Sequence, residues 1–225
     1  MTDQYPPASC RVIVKRGADR AVYGRAEVHA ILDAGHIAHV GVETDNGPIV
    51  LPMAYGVRMS ETGDEVLIHG SVANVMLRAG RDLDVCATVT IVDGLVVART
   101  PFHNSMNYRS VVVRGTATAI TNADDKVAAL QIINDHIAPI WDTARAPSES
   151  DLNRTLVLAL PLTEASAKVR SGDPVDEDID LDGPHWAGVV PLTATWGAPT
   201  NAADLRSAPP IPSAIAALAG LDAHP

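Results

Sequence analysis

The feature that most constrains the fold is a succession of short β-branched and apolar runs, each closed by turn residues rather than by a regular helical crossover. Residues 37–44 and 48–55 are two such runs, and Asp45-Asn46-Gly47 between them supplies the positive φ that a tight hairpin needs. The same logic predicts a second hairpin, with residues 85–92 and 95–99 flanking Asp93-Gly94. Residues 108–120, YRSVVVRGTATAI, form one long β-branched strand in which Gly115 admits a bulge. Later strands are predicted at 155–160, 165–170 and 186–195. Many short strands joined by turns favour a closed antiparallel barrel over a parallel sheet.

Three helices interrupt this pattern. Residues 26–34 place Val28, Ile31 and Leu32 on one face, with Gly35 positioned as a left-handed terminating residue. Thr121-Asn122-Ala123-Asp124 resembles a capping box, followed by an apolar stripe of Val127, Leu130, Ile133 and Ile137. Both read as scaffold. The middle helix differs, because the strand at 66–69 runs through Gly70-Ser71 directly into VANVMLRAG. The first turn of a helix leaves backbone N–H groups unpaired and carries partial positive charge, so this junction suits a phosphate, and it equally suits an ordinary Ser N-cap.

A chain of 225 residues is long enough for one well-buried core and short for two. The reading is therefore a leader at 1–22, one domain at 23–196 and a Pro- and Ala-rich tail at 197–225 that carries no chemistry. No apolar run reaches membrane-spanning length, and MTDQYPPAS has no basic start followed by an apolar stretch, which points to the cytoplasm. The net charge of −10 argues against nucleic acid and for a small-molecule partner. Much of the acid lies at 173–184, DPVDEDIDLDGP, which reads as a solvated loop. Cys10 and Cys86 are expected reduced, with no zinc site.

At Asn107-Tyr108-Arg109-Ser110, which opens the long strand, alternation puts Tyr108 and Ser110 on one face and Asn107 and Arg109 on the other. The segments RAVYGRAEVHAILDAGHIAHVGV, PIVLPMAYG, LIHGSVANVMLRAG, FHNSMNYRSVVVRGTA, EASAKVRSG and WAGVVPL, in this order over about 23–192, resemble the nitroimidazole-reductase-like branch of the pyridoxamine 5′-phosphate oxidase-related family. The resemblance implies a mainly β fold with peripheral α-helices, an antiparallel split β-barrel of the FMN-binding type, and a homodimer with two flavins at the subunit interface.

Carried over residue by residue, the resemblance implies that His69, Gly70, Ser71 and Asn74 surround the flavin phosphate. Met53 would edge the ring, and Tyr108, Arg109 and Ser110 would contribute from the long strand. Lys168 and Arg170 alternate on a late strand and share a face, as cationic donors to the flavin or as an ordinary exposed face. Trp186 either covers the ring or packs in the core. Relatives with this pattern often carry a basic residue after HGSxx, where this chain has Asn74-Val75, so Arg78 or Arg109 is left to supply the charge. FMN is the first expectation and FAD the second.

Eight histidines raise a metal or haem reading. His36 and His39, three apart on an extended segment, point to opposite faces and make a poor metal pair. His69 and His103 are each either a haem ligand or a hydrogen-bonding group. The sequence holds no G-x-S-x-G elbow, P-loop or H-E-x-x-H pair, and no carboxylate pair stands out as acid and base. Two functions remain: an oxidoreductase passing reducing equivalents through flavin to a small oxidised acceptor, a nitroaromatic among the candidates, and a flavin or haem binding protein without turnover.

Overall fold

The computed structural model describes residues 9–72, 84–207 and 209–225. The first hairpin forms as its turn chemistry dictates: β2 (Ala38–Thr44) and β3 (Gly47–Met53) pair antiparallel from Thr44↔Gly47 to Ala38↔Met53. Gly47 takes a φ of 97°, open to glycine at no steric cost. The apolar run continues past Ala54 as β4 (Tyr55–Arg58), which leaves β3 and pairs instead with β5 (Glu65–Ser71). The second hairpin does not form at Asp93-Gly94. β6 is one strand, Asp84–Val97, paired throughout with β7 (Ser105–Thr116), and the register slips between Val92 and Gly94. Asp93-Gly94 is a bulge, because β7 on one side and β11 (Gly188–Pro191) on the other hold the strand straight through the turn signal. A Cβ at Gly94 would sit 2.8 Å from the Val190 carbonyl oxygen. No register shift occurs at Gly115, so the predicted bulge is at Gly94 instead.

Two antiparallel sheets result. β1 (Ala21–Val22) and β10 (Glu164–Arg170) extend the larger sheet in the order β1-β10-β7-β6-β2-β3, with β11 on β6. The smaller runs β4-β5-β9-β8, with β9 at Thr155–Pro161 and β8 at Thr118–Ala119. The fold is thus a split barrel; among the described residues the strands do not close into one hydrogen-bonded ring. The alternating inner faces of both sheets meet α1 (Arg25–Ala34) in one core, where Val28, Leu32, Val40, Ile68, Val89, Val111 and Leu158 are buried. The outer face of the smaller sheet takes α2 (Ala123–Asn134), which packs Ala129, Leu130 and Ile133 on Leu67, Val157 and Ala159. Asn122 caps α2 by accepting from the N–H groups of Asp124 and Asp125. Ile137 lies beyond the end of the helix and is exposed.

Gly35 ends α1 in an extended conformation, with φ −86° and ψ 152°, rather than the left-handed one predicted. Crowding is what requires glycine here, since a Cβ would lie 2.3 Å from Val89 Cγ1 and 2.8 Å from Tyr55 Oη. The orphan carbonyls of the last turn are capped from a distance: Tyr55 donates to Leu32 O and Gly35 O, His136 meets Gly35 O at 2.7 Å, and His224 meets Ala34 O at 2.9 Å. At the other end, Arg25 donates to both oxygens of Asp64 at 2.7 and 3.0 Å, and His29 Nε2 lies 3.0 Å from the same carboxylate, fastening α1 to the loop before β5.

The late segments also depart from expectation. The acidic stretch is anchored rather than merely solvated: Asp176 has a fully buried side chain and accepts from Arg99 at 2.9 Å. A short helix, Asp178–Leu181, follows it. The strand predicted at 186–195 is only Gly188–Pro191. The tail folds back on the domain through a Thr195↔Asp222 bridge and the bonds Gly220 N–H to Trp196 O and Ala223 N–H to Ala194 O. No helix is long and apolar enough to cross a membrane among the described residues.

Candidate functional site

The predicted site residues fall into two groups on different sheets. The first is the end of β5, where His69 pairs with Val157, Gly70 with Leu156 and Ser71 with Thr155. Alternation puts His69 on the same side as Leu67, the side that faces α2. His69 Nδ1 is buried and has no hydrogen-bond partner among the described residues, and burial lowers the imidazole pKa, holding the ring neutral. A buried imidazole nitrogen without a partner costs free energy that a bound group would recover. Asn74, Arg78 and the helix expected after Ser71 lie outside the described residues.

The second group is a polar strip on the outward side of the larger sheet. Lys168 lies directly opposite Ser110, and Arg170 opposite Tyr108, so all four share one face. Ser110 Oγ donates to Lys168 O at 3.2 Å, and Lys168 Nζ donates to Arg16 O at 2.8 Å while remaining accessible. Arg20, just before β1, stands close enough to Arg170 to add positive potential. Sequence reasoning missed Arg20, whose position depends on β1 pairing with β10.

Several predicted contacts have other employment. Arg109 meets Asp93 through both carboxylate oxygens at 3.0 to 3.2 Å and donates to His224 O and Pro225 O at 2.9 and 3.1 Å. It is a tether for the C-terminal segment, and its fork is already filled. Arg170 is 6% exposed and donates to Asn107 Oδ1, Gly172 O and Asp173 O, while Asn107 donates to Gly172 O; together they brace the turn that starts the acidic segment. Met53 packs against the larger core. Trp186 is 65% exposed and lies over its own chain at Gly188, so it is not a core residue. His103 is half-buried, edge-on to Phe102 and 3.9 Å from Glu177. Among the described residues no cluster of three or more His, Cys, Asp or Glu is arranged to hold a metal ion.

This arrangement of two antiparallel sheets is that of the split-barrel flavin-binding proteins. The chain belongs to the pyridoxamine 5′-phosphate oxidase family, whose model matches residues 24–169. It is similar to the flavocytochrome Anf3 from Azotobacter vinelandii, at 36% identity over 94% of this chain and 97% of that chain, with a TM-score of 0.85. It is also similar to the FAD and haem binding protein from Mycobacterium smegmatis, at 34% identity over 92% and 100%, with a TM-score of 0.83. A putative 5-nitroimidazole antibiotic resistance protein from Bacteroides thetaiotaomicron, 22% identical over 66% and 86% with a TM-score of 0.54, shares the fold. No curated protein matches the chain.

Proposed function

We propose that this protein is a redox carrier that binds FAD and haem and passes reducing equivalents to a small oxidised acceptor. The observation that carries the reading is the match over more than nine-tenths of the chain to a flavocytochrome and to an FAD and haem binding protein. FAD therefore moves ahead of FMN. His69 fits the haem, because a neutral buried imidazole with an unpartnered nitrogen has the donor that an iron needs, whereas His103 is half-exposed beside Glu177. Flavin and haem, when bound, supply hydride and one-electron chemistry; the chain's own residues bind, orient and shield them.

Lys168, with Tyr108 and Ser110 on the same face, is the accessible cation for the flavin phosphates, and Gly70-Ser71 adds the strand end. These two groups lie on separate sheets, which supports a homodimer whose copies each contribute one of them to a shared site. Free Cys10 and Cys86 accord with a reducing, cytoplasmic setting.

A charge-assisted hydrogen bond contributes about 1.5 to 3 kcal/mol, so Lys168→Ala is expected to weaken FAD by roughly tenfold or more. Riboflavin, which lacks phosphate, should lose little. Calorimetric titration of both ligands reads the difference, and equal losses for the two would remove Lys168 from phosphate binding.

A further inference from the structure

The C-terminal segment closes a cavity of about 330 Å³ that is floored by Ile91, Asp93 and Arg109 and roofed by Leu192, Asp222 and His224. Its fastening is built from histidines. His36 meets the rings of Trp196 and His224 at tilted angles of 42° and 32°, with centroids 5.1 and 4.6 Å away, and His224 also caps Ala34 O. His136 comes in from the far side to cap Gly35 O, with its ring 4.5 Å from that of Tyr55. Three imidazoles from three distant parts of the chain thus converge on the last turn of α1, and the roof of the cavity hangs on one of them.

We propose that residues 192–225 are a histidine latch, which closes the Arg109 cavity at neutral pH and releases it under mildly acidic conditions. Release strips Arg109 of the two carbonyls it binds at His224 and Pro225 and opens the floor of the cavity to solvent. The groups facing the cluster pull both ways. Asp33 and Asp222 line the adjoining space, and the carbonyl end of α1 favours positive charge. Against them stand burial and the neighbouring rings of His224 and His136, and these win at His36, whose pKa is lowered. The docked form therefore resists a proton that the released form accepts. Docking keeps its full stability above the ordinary value of about 6.5 and loses it as pH falls toward the depressed one. The inference is independent of the cofactor reading.

Hydrogen exchange on the full chain tests it through the amides of Trp196, Gly220 and Ala223, all bonded within the docked segment. Their protection, corrected for intrinsic exchange, should fall by up to about tenfold for each unit by which His36 is depressed, while that of β6 and β7 holds. His36→Phe keeps a ring against Trp196 and cannot charge, so its segment should stay protected at pH 5.5. Protection unchanged by pH in the unmodified chain overturns the latch, and so does a His36→Phe segment that is released to the same extent.

Discussion

Replacing Asp64 with alanine is expected to cost about 1.5 to 3 kcal/mol of folding stability, the usual contribution of hydrogen bonds to a charged group when the partner left behind, Arg25, is only partly buried. The Asp64 side chain is only 4% exposed, and its two oxygens take a bidentate Arg25 and the His29 ring from the first two turns of α1. Without it the Arg25 fork loses both bonds to this carboxylate and His29 faces a small apolar gap, while α1 keeps its caps at the other end. A loss of this size is a large share of the roughly 5 to 15 kcal/mol that holds a typical domain folded. Urea unfolding at neutral pH measures it. A change below about 1 kcal/mol, typical of exposed pairs, would show that the cluster does not anchor the helix.

The second large effect concerns cofactor content. A His69→Ala chain is expected to lose haem altogether and to keep flavin with affinity reduced only several-fold. The asymmetry follows from the chemistry: an imidazole ligand would be the iron's bond to the protein, whereas one neutral hydrogen bond to a flavin contributes only about 0.5 to 1.5 kcal/mol. The His103→Ala chain should retain both cofactors. Comparing the Soret and flavin absorption of the two variants after incubation with haemin and FAD decides the ligand. A Soret band that survives in His69→Ala and vanishes in His103→Ala would move the iron from the end of β5 to the turn that precedes β7.

The parts of this fold that were legible in the sequence are those decided locally. Asn46-Gly47 between two apolar runs is a strong local hairpin signal, and the shared face of Lys168 and Arg170 follows from strand alternation within β10. Asp93-Gly94 carries the same local signal as a turn, yet β11 and β7 grip the strand on both sides and turn it into a bulge. Gly35 looked like a conformational glycine and is a steric one, because Val89 and Tyr55 come from distant strands. Alternation placed Arg170 on the correct face, but its role is set by the backbone turn at Gly172 and Asp173, which no spacing rule shows.

The tail was the least legible segment. Its Pro- and Ala-rich composition suggests a loose end, and it is held by a few unrepeated contacts to Ala34, Ala194, Trp196 and Arg109. The Arg25-His29 pair, four apart at the start of a helix, was a visible signal, but its partner Asp64 lies 35 residues beyond His29 and follows no motif. At the candidate site, His69 and Ser71 stood out through the resemblance, whereas the employment of Arg109 by Asp93 depends on the bulge that sequence reasoning took for a hairpin turn.

The most direct measurement is the visible absorption spectrum of the full chain after incubation with FAD and haemin and removal of unbound ligand. The expected result is both a flavin spectrum and a Soret band, in equimolar amounts, on one protein. A chain that emerges colourless, or that carries haem and no flavin, would contradict it.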